Sequence, residues 1–241
     1  MYNYITERMA IVLYDGMASE LPGVKRDVFD YEKFLISPYG GSWKEHEIKT
    51  INVKEWEKGK IKKLCQSCTF KYLLLVFIGH GSQDRNSRTY FLAKHNIPCY
   101  VDEINNCARK QLTIVDCCRV GGDTLIRESV MEKVAYVQKY KDTSLAFFNQ
   151  LNQASDQHIT LYACSPSEEA NDACSYSYYL LKCAYLTLQG ETDKYLSVKD
   201  AHEVAKQEMS KNAKILQNPD IVESYGSDSE KLPFAISANL T

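Results

Sequence analysis

The sequence predicts an α/β fold: one domain over residues 1–241, with a mainly parallel six-stranded sheet and helices on both faces. Three observations carry this. Apolar runs of strand length alternate with segments whose apolar residues recur at helical spacing. Such alternation implies right-handed crossovers between parallel neighbours. The run Tyr72–Ile78 is apolar at every position, as expected of a strand covered on both faces. A chain of 241 residues is long enough for one well-buried core.

The elements come in this order. Met9–Tyr14 is an apolar strand ending at the turn signal Asp15-Gly16. From Gly23, residues Val24, Val28, Tyr31 and Leu35 keep helical spacing until Pro38 and Gly40-Gly41 stop the helix. Glu47–Val53 reads as a second strand, and Ile61, Leu64, Cys65 and Cys68 as the apolar face of a second helix. After Tyr72–Ile78, a short helix is expected at Asp102–Ala108 and a buried strand at Leu112–Val115. The next strand, His158–Ala163, is reached only after the long connection Arg119–Gln157, in which Val130, Val134 and Val137 have helical spacing. A helix comes next near Ser175–Gln189. Ser197–Asp200 resembles a capping box opening a helix with Ala201, Val204, Ala205 and Met209 inward. Leu232–Ile236 is the expected edge strand.

The bulk numbers exclude several function classes. Net charge is −2 and no basic stripe is present, which argues against a nucleic-acid partner. No apolar run is long enough to span a bilayer, and Met1–Arg8 carries no apolar signal core, so no membrane partner is expected. Nine cysteines, an odd number without a secretion signal, favour thiols in a reducing, cytoplasmic compartment.

Chemistry is expected at the carboxyl ends of the strands, where parallel sheets open their crevices. Two ends stand out. Tyr72–Ile78 runs into Gly79-His80-Gly81-Ser82, and Leu112–Val115 into Asp116-Cys117-Cys118-Arg119-Val120-Gly121. On adjacent strands, His80 and Cys118 would emerge at one edge. An imidazole there generates and orients a thiolate. The N–H groups of Gly81 and Cys118 are candidates for an oxyanion hole, worth roughly 3–4 kcal/mol per donor. Against this stands the plainer reading that a buried Cys is a small hydrophobe and a strand-end His a cap.

Phe77-Ile78-Gly79-His80-Gly81 resembles the histidine motif of the caspase-like cysteine peptidases, a group that includes metacaspases and bacterial orthocaspases. Asp116-Cys117-Cys118-Arg119-Val120-Gly121 is similar to that family's Asp-x-Cys motif, where a mammalian caspase has Gln in place of Asp116. Leu21-Pro22-Gly23-Val24-Lys25-Arg26-Asp27, Tyr162-Ala163-Cys164-Ser165-Pro166 and Gln217-Asn218-Pro219 are similar to further family segments, so the resemblance spans residues 9 to about 236. It implies a caspase-like sheet and a cysteine endopeptidase acting on protein substrates. Cys118 would be the nucleophile, His80 its base, and Cys117 packing on the other face of the strand. It also implies a large-subunit-like part to about residue 120, a linker over about 121–157 and a small-subunit-like part from about 158.

The resemblance further places Asp116 and Asp27 at the pocket for the cleaved residue. Two carboxylates favour a cation, hence cleavage after Arg or Lys. Leu21 stands where an Asp-specific caspase would have Arg. The alternative role of Asp27 is to serve the helix N-terminus. Ser165, Glu168 and Asp172 fall in the loop expected to meet the substrate backbone, or in an ordinary solvated loop. Arg127, Lys133, Lys139 and Lys141 in the linker are candidate self-cleavage points. No cofactor is expected. Calcium, which many metacaspases need, is disfavoured because the segment between His80 and Cys118 is short and Asp102-Glu103 alone is a thin site. Cys65-x-x-Cys68 lacks the second pair that a zinc site needs and continues an apolar helix face. His46, His95, His158 and His202 have no partner motif. A silent scaffold of the same fold, or a related peptidase of other specificity, is the competing reading. A role in bacterial cell death or antiviral defence, under an upstream activating protein, is the expectation for biology.

Overall fold

The computed structural model describes residues 7–16, 23–66, 70–118, 141–165, 176–192, 194–212, 215, 217–224 and 226–238, with Cys118 through its backbone alone. The strands of its main sheet are β1 (Arg8–Tyr14), β2 (Ile48–Asn52), β3 (Tyr72–Gln83), β6 (Lys110–Cys118), β7 (Gln157–Tyr162) and β9 (Asp220–Glu223). Their order across the sheet is β2-β1-β3-β6-β7-β9. The first five are mutually parallel, and β9 pairs antiparallel with β7. Five parallel strands demand cover on both faces, because every second side chain points each way.

That alternation sorts the core in two. Ala10, Val12, Leu74, Val76, Leu112 and Ile114 face one cluster, with Tyr31, Phe34, Leu180 and Ala201. It is covered by α1 (Gly23–Ile36), α3 (Ser144–Gln153), α4 (Tyr176–Leu188) and α5 (Val198–Ser210). Ile11, Leu13, Leu73, Leu75 and Phe77 face the other cluster, with Ile61 and Cys65 of α2 (Lys58–Gln66). Cys65 is fully buried there, so it packs as a hydrophobe, while Cys68 lies outside the described residues. Ser197 caps α5, its Oγ accepting from Asp200 N at 3.1 Å. This satisfies one of the orphan N–H groups of the first turn.

Several expectations need correction. Strand β3 does not stop at Ile78 but continues to Gln83, and its end pairs with β4 (Thr89–Leu92), which pairs with β5 (Pro98–Tyr100). The segment expected to be helical at Asp102–Ala108 holds only a 3-10 turn, Val101–Glu103. The strand near the C-terminus, β10 (Pro233–Ile236), is not an edge of the main sheet. It pairs antiparallel with β8 (Tyr195–Ser197), and Phe234 stacks on Phe34 of α1 at 5.5 Å. The true edge is β9, whose four residues Asp-Ile-Val-Glu are all at least partly exposed. An edge strand with little buried surface leaves no apolar run to read. The connection before β7 contains α3, whose Phe147 and Leu151 are buried in the first cluster.

Candidate active site

Strands β3 and β6 are register partners along their length, and the last pair is His80 opposite Cys118. One residue further, β3 leaves the parallel sheet, and Gly81 pairs with Phe91 of β4. His80 therefore sits at the pivot between the parallel sheet and the antiparallel β3-β4-β5 extension. The flanking glycines make the pivot sterically possible. Gly79 has φ +143°, and a Cβ there would lie 2.6 Å from Asp15 Cβ. A Cβ on Gly81 would lie 2.4 Å from Cys117 Sγ. Cys117 is buried in the α2-side cluster, so its thiol is a wall under Gly81.

Asp116 points to the other face. It is 3% exposed, and its Oδ2 accepts from Ser177 N at 2.7 Å. Ser177 is the second residue of α4, so a carboxylate meets a helix N-terminus, a favourable arrangement for negative charge. Ser177 Oγ donates to Tyr31 Oη at 3.2 Å. Burial pushes the Tyr31 phenol well above its ordinary range, opposed by the Ser177 hydrogen bond and reinforced by the negative charges of Asp116 and Asp27. Both acids expected at the cation pocket thus lie near one buried tyrosine. Asp27 is itself buried and lies four residues beyond the first residue of α1, past the first turn, so it is not a cap of that helix.

A pocket of about 100 Å³ opens beside His80. Its walls include Lys54, Tyr90, Phe91 and Leu92. Phe91 stacks on Phe77 at 4.3 Å and belongs to the α2-side core. Lys54 Nζ lies 3.8 Å from Asp15 Oδ2. None of Asp15, Lys54, Tyr90 or Leu92 was singled out as a site residue from the sequence. Asp15 had only its turn dipeptide as a signal, and the β4 residues none, because a four-residue strand makes no period long enough to read.

The remaining expected residues are scattered. Ser165 Oγ donates to Asn218 O at 3.2 Å, which links two of the segments picked out by resemblance. Glu168, Asp172, Arg127, Lys133 and Lys139 lie outside the described residues, as do Leu21 and Arg119–Gly121. Lys141 is exposed, just ahead of α3. Its neighbour Asp142 is held down to about 2 by hydrogen bonds from Lys44 and Ser144. Asp102 takes two hydrogen bonds from Arg88, at 2.8 and 2.9 Å, and Glu103 pairs with Lys58 at 2.8 Å. His202, which had no partner motif, is buried and shares a 2.7 Å hydrogen bond with Tyr176 Oη. Among the described residues no helix is long and apolar enough to cross a membrane.

A family model described as caspase domain matches residues 7–228. No curated protein sequence matches the chain. Among solved structures, the crystal structure of caspase-1 from Spodoptera frugiperda superposes with a TM-score of 0.54. It is 14% identical, with 98% of this chain and 90% of that one covered. At this identity the likeness speaks for the fold.

Proposed function

We propose, from the premise that this chain belongs to the caspase-domain family, that it is a cysteine endopeptidase with Cys118 as nucleophile and His80 as its acid–base partner. The observation that carries this reading is the register pair His80–Cys118 at the carboxyl end of the two central strands. Proximity on a rigid sheet is what a proton relay between two side chains requires. In the proposed reaction the Cys118 thiol passes its proton to His80, and the sulfur bonds to the scissile carbonyl carbon. His80 then gives the proton to the departing amine as the C–N bond breaks. Water attacks the thioester carbonyl as His80 takes one of its protons, the C–S bond breaks, and His80 returns that proton to the Cys118 sulfur as the carboxylic acid leaves. The N–H groups of Gly81 and Cys118 are the candidate donors to the oxyanion.

The cleaved residue is Arg or Lys. Support comes from Asp116 and Asp27, two buried acids on the α1–α4 face near Tyr31. A guanidinium entering there would meet negative charge in a low-dielectric setting, where a charge-assisted pair is strong. In the self-processing part of the proposal, Lys141 is the accessible candidate among the described residues. Calcium plays no part at Asp102 and Glu103 in this reading, since Arg88 and Lys58 already neutralise them.

Fluorogenic peptides ending in Arg, Lys or Asp test the reading. Release from Arg and Lys peptides, lost in both Cys118→Ala and His80→Ala, is the expected result. Release only from the Asp peptide would overturn the specificity. No release from any peptide would leave the scaffold reading.

A further inference from the structure

The two faces of the sheet differ at the His80–Cys118 edge. The acids lie on the α1–α4 face, and the pocket beside His80 is backed by the α2-side core. We infer that this pocket, walled by His80, Tyr90, Phe91 and Leu92, is a specificity subsite that takes the side chain immediately after the scissile bond, and that it selects a branched aliphatic residue there.

The inference rests on the peptidase reading and deepens it. The departing nitrogen receives its proton from His80, so in the reactive pose it lies within hydrogen-bond reach of that imidazole. The side chain immediately after the scissile bond branches from the carbon bonded to that nitrogen. It therefore falls beside His80, and because successive side chains of an extended substrate point to opposite sides, a cleaved residue directed toward the acids sends the next one the other way. A pocket whose wall includes His80 lies within that reach.

Its dimensions and chemistry set the class of residue. A volume of about 100 Å³ accommodates the three or four carbons of Val, Ile or Leu. The β4 residues present aromatic and aliphatic surface, Tyr90, Phe91 and Leu92. The ammonium in the wall, Lys54, faces the Asp15 carboxylate. An acidic substrate side chain would have to compete with that carboxylate, whereas an apolar one gains by leaving water.

The test uses internally quenched peptides with Arg fixed at the cleaved position and the next residue varied among Val, Leu, Gly, Asp and Trp. Val and Leu are expected to exceed Gly about tenfold in kcat/KM, with Asp at or below Gly. A second measurement changes the pocket rather than the peptide. Leu92→Phe fills it and should invert the order, putting Gly above Val and Leu. Tyr90→Ala enlarges it and should raise Trp relative to Val. Each ranking is internal to one protein, so a general loss of activity does not disguise it. Equal rates across the wild-type series, or a preference for Asp, overturn the inference and leave the peptidase reading standing. Failure of the wild-type chain to cut any of these peptides, or the single-residue Arg and Lys reporters, overturns both.

Discussion

At the carboxyl edge of the sheet, the α1–α4 face is built of charge held by hydrogen bonds, and the α2 face of apolar surface around a small void. On the first face Asp116 is tied to the α4 N-terminus and, with Asp27, surrounds Tyr31 with negative charge. On the second, Phe91 and Phe77 stack behind a pocket whose charged wall residue is ion-paired. One strand pair separates them. In the proposed peptidase reading, the difference would give a substrate a direction: a cationic side chain drawn to one face, and the residue beyond the scissile bond to the other. Neither helix packing nor strand pairing alone requires such polarity.

The largest expected effect sits on the boundary between the faces. Cys118→Ala or His80→Ala should lower kcat/KM by about 10⁴-fold or more, with no further loss in the double variant, because the two act as a unit. Additive losses would break the pairing. Next comes the charged face. Asp116→Asn removes the anion but keeps an acceptor for Ser177 N, and should reduce cleavage after Arg by on the order of 10- to 100-fold. Asp27→Asn should act in the same direction. If both variants cut Arg peptides as well as the parent does, the charged face is structural only.

A smaller effect tests the wall beneath the edge. Gly81→Ala drives a methyl group into Cys117 and should destabilise the protein by about 1–3 kcal/mol in urea titrations. Adding Cys117→Ala should return part of that loss, since the Sγ contact goes while the Cβ contact at 2.7 Å remains. Full additivity would show that the close approach is not what excludes a side chain at position 81.

The smallest lies behind the charged face. Burial holds His202 below its ordinary 6.5, with Glu203 and Asp220 opposing and Lys206 adding to the shift. The unfolded chain therefore takes up the proton first. The stabilisation is complete above about pH 6.5 and is lost as pH falls from there through the folded value. Thermal melts at about pH 7.5 and about pH 5.5 should show a drop that His202→Gln makes shallower. An unchanged pH dependence would place the titrating group elsewhere.

Much of the fold was legible in the sequence because buried parallel strands and amphipathic helices leave periodic traces. Strands β1, β3, β6 and β7 and helices α1, α2, α4 and α5 all appear near their expected places. What escaped was short or partly exposed: β4, β5, β8 and β9 have four residues or fewer. The candidate site was legible where motif and strand end coincide, at His80, Asp116 and Cys118. Lys54, Tyr90 and Leu92 were not, because they reach His80 through pairing between strands rather than through any local pattern.

The sequence alone determined that Tyr72–Ile78 and Leu112–Val115 are buried strands and that His80 and Cys118 follow them closely, because apolar runs and glycine placement are local properties of the chain. Only the tertiary structure decided the rest. The shared register at His80 and Cys118, the continuation of β3 past the edge, and the assignment of acids to one face and the pocket to the other all depend on which strands meet. Pairing joins residues far apart in the chain, and a local pattern carries no record of it.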